Sequence, residues 1–69
     1  MLPDKYCFHV RQAANYIEDG RPLAARSHLS NAKLYISDGV CEDDKTYMRN
    51  EINRLEKHNA ASVIERNNS

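Results

Sequence analysis

The chain has 69 residues, and its 10 basic side chains balance 10 acidic ones for a formal net charge of zero. That length holds one small domain, and a neutral surface lacks the excess Lys and Arg that nucleic-acid binding draws on. No run approaches the ~20 apolar residues of a membrane span, and Met1-Leu2-Pro3-Asp4 is no signal peptide, so the sequence points to a cytoplasmic protein.

Two Gly, two Pro and seven Ala favour helices with short joints over many-stranded structure. The first predicted helix covers residues 4–18, where Tyr6, Val10, Ala13 and Ile17 draw one apolar stripe at helical spacing. Asp19-Gly20 ends it, because glycine alone takes the left-handed cap conformation at little cost. Pro22 suits the first turn of the next helix, where its missing N–H is no loss. The second helix is predicted over residues 22–37, with Ala25, Leu29, Ala32 and Ile36 as its stripe. Asp38-Gly39 is expected to close it, with Val40 folding back on Tyr35 as the apolar half of a Schellman motif.

A polar joint from Cys41 to Asp44 follows, in which Asp43 or Asp44 is expected to cap the third helix. That helix is predicted over residues 44–64, longer than the other two, with Met48, Ile52, Leu55 and Val63 as its stripe. Glu51 and Arg54 form an i,i+3 pair on its flank. Residues 65–69 show no pattern and are expected to fray.

The two shorter helices echo one another. His9, Ala13, Tyr16, Ile17, Asp19 and Gly20 recur as His28, Ala32, Tyr35, Ile36, Asp38 and Gly39. Folded antiparallel about Gly20, the helices set Ile17 against Ala24 or Ala25, Ala13 against Leu29, Val10 against Ala32 and Tyr6 against Ile36. Bulky groups meet small ones in the first three layers, as a close-packed core requires.

The residues Ala13, Tyr16, Gly20, Ala25, Leu29 and Ala32 stand at the spacing of a tetratricopeptide repeat, which residues 6–39 resemble. Departures are His9, Gln12 and Ser37, where that repeat carries a bulky apolar residue, Leu and Pro. With the third helix added, the chain also resembles a microtubule-interacting-and-trafficking domain. Both resemblances imply recognition of other proteins through helix surfaces, with no catalytic residue to transfer. The expected fold is therefore all-α: an antiparallel hairpin plus a longer third helix in one domain, 1–69, associating as a homodimer.

Helix 2 is apolar on more than one face. Ala24, His28 and Tyr35 flank its core stripe, where the third helix is expected to cover them. Leu23, Ser30 and Leu34 lie about 150° from the core at 100° per residue. Phe8, beside Arg11, falls on the back of helix 1. Aromatic and aliphatic anchors with arginine nearby are typical of interfaces, so Phe8, Arg11, Leu23, Ser30 and Leu34 are the candidate partner-binding residues. Ala60, Val63 and Ile64 overhang the hairpin and are the candidate dimer contacts.

The soft ligands Cys7, His9, His28, Cys41 and His58 lack the paired spacing of zinc sites. The cysteines are expected to be reduced and at least half-buried. No nucleophile–base order or phosphate loop is present. No metal, cofactor or enzymatic activity is expected. The function these features imply is a non-catalytic regulator, inhibitor or adaptor that docks helix surfaces on a target protein. A nucleic-acid-binding transcriptional regulator and a structural assembly subunit are the alternatives.

Overall fold

In the computed structural model, residues 2–37 and 39–68 are described, with side chains through Ile64. The elements are α1 (Asp4–Glu18), α2 (Pro22–Lys33) and α3 (Glu42–Asn68), with no strand among the described residues. They run up, down and up as a three-helix bundle, α3 engaging α2 more extensively than α1.

The α1–α2 turn is a complete Schellman motif. Gly20 stands at φ 75°; its N–H donates to the Ile17 carbonyl at 3.2 Å, and the Arg21 N–H donates to Tyr16 at 2.8 Å. Two carbonyls that the helix end would orphan are thereby satisfied. Pro22 then opens α2 in its first turn.

The end of α2 differs from expectation. The α-helix stops at Lys33, not Ser37, and the chain continues through successive i→i+3 bonds from Leu34, Tyr35 and Ile36 to Asn31, Ala32 and Lys33. This tighter winding carries Tyr35 and Ile36 onto the core without regular helix. Gly39 lies too far beyond Lys33 to cap α2, and Asp38 falls outside the described residues. Val40 packs against the core, as Tyr35 does.

At its start α3 also differs: it begins at Glu42, so Asp43 and Asp44 stand within the first turn instead of capping it. Their charges still face the positive end of the helix dipole. The helix runs to Asn68. At 1.5 Å per residue it is about 40 Å long, against roughly 22 Å for α1 and 18 Å for α2.

The core takes Tyr6, Ala13 and Ile17 from α1, Ala25, Leu29 and Ala32 from α2, and Met48 and Ile52 from α3. Tyr6, Ala32, Met48 and Ile52 form one cluster, with Leu2, Val10, Tyr35, Ile36 and Val40 packed against it. Fully burying a side chain such as Leu29 contributes about 1.5–3 kcal/mol, and alanines opposite the bulky groups let the helices approach. The Tyr6 hydroxyl crosses this core to donate to Glu51 Oε1 at 2.7 Å, with the Met48 carbonyl at 3.3 Å. Glu51, expected beside Arg54 on the flank of α3, thus ties α1 to α3. Lys45 buries its stem and holds Nζ 3.3 Å from Glu42 Oε1, as long basic side chains do.

Candidate functional site

Where α3 outruns the hairpin, a groove of about 720 Å³ opens between the start of α2 and the far end of α3. Leu29 forms part of its lining from the core. Pro22, Leu23 and Arg26 line the α2 side, and Glu56, Asn59, Ala60, Val63 and Ile64 line the α3 side. Leu23 is 79% exposed and Ile64 59%, so the groove joins a buried apolar group to apolar projections.

Asn59 fixes its shape. The side chain is buried, and its Nδ2 donates to the Pro22 carbonyl at 3.1 Å, clamping α3 to the first residue of α2. Carbonyl oxygens have two lone pairs, so this bond need not displace the helical one. Below the clamp, Lys33 Nζ meets Glu56 Oε2 at 3.0 Å between half-exposed side chains. Among the described residues no buried side-chain nitrogen or oxygen lacks a hydrogen-bond partner.

The structure redistributes the residues singled out by sequence. Leu23, from the partner-binding set, shares the groove with Ala60, Val63 and Ile64, from the dimer set. Ser30 is exposed farther along α2, and Leu34, 74% exposed, sits at the C-cap. Arg11 lines a separate cleft between α1 and α3, with Cys7, Tyr47, Glu51 and Arg54. Phe8 is 53% exposed and stands edge-on to His9 and His28, centroids 5.2 and 6.2 Å away. These five residues do not form one continuous site.

Sequence reading missed Arg26, Glu56 and Asn59. The spacing held a signal only for Asn59, which continues the Met48, Ile52, Leu55 stripe as a polar residue. Arg26 and Glu56 lie off the apolar stripes, so periodicity carries no signal for them.

A second cluster lies on the hairpin edge away from α3. The third helix was expected to cover His28; it instead lies along the Leu29 and Ile36 side of α2. His28 meets His9, with Nδ1 atoms 3.0 Å apart. The His28 ring stacks on Tyr16 at 5.4 Å and 14°, and the His9 ring stacks on Tyr35 at 6.0 Å and 15°. Arg21 lies over the outer Tyr16 ring, 5.6 Å from its centre, a cation–π contact at the Schellman turn. The sequence echo is therefore a reciprocal contact: His28 of α2 lies on Tyr16 of α1, and His9 of α1 lies on Tyr35, just past the end of α2.

Burial pushes the Tyr6 phenol well above its ordinary value of 10.0, reinforced by its hydrogen bond to Glu51 and that carboxylate's charge. It is a structural hydroxyl, held protonated. Both cysteines are free and exposed, not half-buried as the sequence suggested. Among the described residues no three His, Cys, Asp or Glu side chains gather where an ion would be held. No described helix is long and apolar enough to cross a membrane. No family model, curated protein or solved structure matches the chain.

Proposed function

We propose that the chain is a non-catalytic protein-binding module, a regulator or adaptor that receives the apolar face of a partner helix in the α2–α3 groove. The observation that carries this reading is the juxtaposition of Leu23 with Ala60, Val63 and Ile64 around the Asn59 clamp. Helix-in-groove recognition needs an apolar trough with spaced projections and a polar rim, and Arg26 and Glu56 supply the rim. The mechanism is occlusion: a target segment buried in the groove is withheld from other contacts. The tetratricopeptide-like spacing of the hairpin supports the same class of activity. A cytoplasmic setting belongs to this proposal, since two free cysteines suit a reducing compartment.

A photo-activated cross-linker placed at Leu23, and separately at exposed Lys57 outside the groove, tests the reading in cells. One discrete adduct from Leu23 to a protein other than a second copy of this chain, absent from Lys57, is the expected result. Equal labelling from both positions, or none from Leu23, overturns it.

A further inference from the structure

We propose that a second copy of this chain occupies the α2–α3 groove, so that self-association masks the surface offered to a partner. This deepens the docking reading and rests on it only for the masking.

Three observations carry it. First, two large apolar side chains stand open on facing walls of this one groove, Leu23 at 79% and Ile64 at 59% exposure, where α3 outruns the hairpin.

Second, the groove has the features of a self-complementary surface. An isologous contact must carry both projection and recess on one patch. Here Leu23 and Ile64 project, while Leu29 is buried at 1% exposure. A two-fold axis along the groove sets the α2 wall of each copy on the α3 wall of the other. Leu23 then meets the partner copy's apolar wall of Ala60, Val63 and Ile64.

Third, the charges match under the same rotation. Arg26 lies on one wall and Glu56 on the other, so the axis places Arg26 opposite the second copy's Glu56, twice. The Glu56 carboxylate already meets Lys33, yet it keeps lone pairs for another donor. With zero net charge, no long-range repulsion opposes the approach.

Sedimentation from micromolar to near-millimolar concentration tests the proposal on the full chain, with circular dichroism confirming helix content. Leu23→Glu and Ile64→Glu should each raise the dimer dissociation constant about tenfold or more, as loss of a central anchor does. Leu34→Glu, equally exposed but outside the groove, should leave it unchanged. Chains with Cys7→Ser and Cys41→Ser, carrying either Leu23→Cys or Ile64→Cys, should form a mixed disulfide when combined. A chain that stays monomeric throughout overturns the proposal, as does a Leu34→Glu effect matching that of Leu23→Glu. Monomers that still give the Leu23 adduct remove self-association alone. Dimers that give only the chain–chain adduct remove partner docking alone. If both hold, added unlabelled chain should lower the adduct yield; an unaffected yield removes the masking.

Discussion

His9 and His28 face each other across the hairpin with their Nδ1 atoms 3.0 Å apart, each ring lying on a tyrosine from the other half of the hairpin. At that distance one nitrogen donates and the other accepts, so the rings hold different tautomers. Nitrogen-15 correlation spectra should show one ring with its proton at Nδ1 and the other with none there. A double-mutant cycle with His9→Ala and His28→Ala should give a coupling of about 0.5–1.5 kcal/mol in urea denaturation. Identical tautomers with zero coupling would contradict the contact.

Leu29 joins the buried core to the lining of the groove, at 1% exposure. Leu29→Ala should destabilise the chain by about 2–5 kcal/mol, the range for buried leucine truncations that leave a cavity. Urea denaturation measures it. A change near zero would mean that the hairpin does not pack through this residue.

The two glycines of the echo should respond unequally to the same change. Gly20 holds φ 75°, so Gly20→Ala places a Cβ in the left-handed region and should cost about 1–2 kcal/mol. At Gly39 an added Cβ meets nothing within 4 Å, and Gly39→Ala should shift stability by no more than about 0.5 kcal/mol. Parallel thermal melts compare the two.

Tyr6 gives the chain an alkaline limit. In the folded state its phenol remains protonated above the ordinary value of 10.0, while in the unfolded state it ionises near that value. The unfolded chain therefore binds fewer protons above pH ~10, and stability falls as pH rises through this window. The slope for this group approaches about 1.4 kcal/mol per pH unit. Tyr6→Phe should remove that slope while costing about 1 kcal/mol at neutral pH through the lost bond to Glu51. Denaturation curves from pH 8 to about 12, with phenolate absorbance recorded alongside, check both statements.

Asn59→Ala should cost about 0.5–1.5 kcal/mol through loss of the bond to the Pro22 carbonyl. It should also speed amide exchange at the start of α2 more than in α1. Uniform exchange changes would show that Asn59 does not act locally as a clamp.

The three-helix fold was legible because each helix buries one stripe, and the 3.6-residue period survives whenever a single face is dry. Tyr6, Ala13, Ile17, Ala25, Leu29, Ala32, Met48 and Ile52 all lie on the stripes that this period marks. The end of α2 was not legible, because Ile36 keeps the periodic position while the backbone tightens beneath it. The groove was illegible for another reason. Leu23 and Ile64 stand on different helices, and only the crossing of α2 with α3, clamped by Asn59, brings them together. The histidine pair fell between these cases: the repeat announced equivalent positions, but the relative rotation of the helices made them touch.

That equivalence builds the hairpin edge as two stacks joined at one bond. Each imidazole rests on its own tyrosine, so losing Tyr16 strips the stack from His28 and losing Tyr35 strips it from His9. The Nδ1–Nδ1 contact, with the Phe8 ring edge-on to both, carries either loss across to the other half.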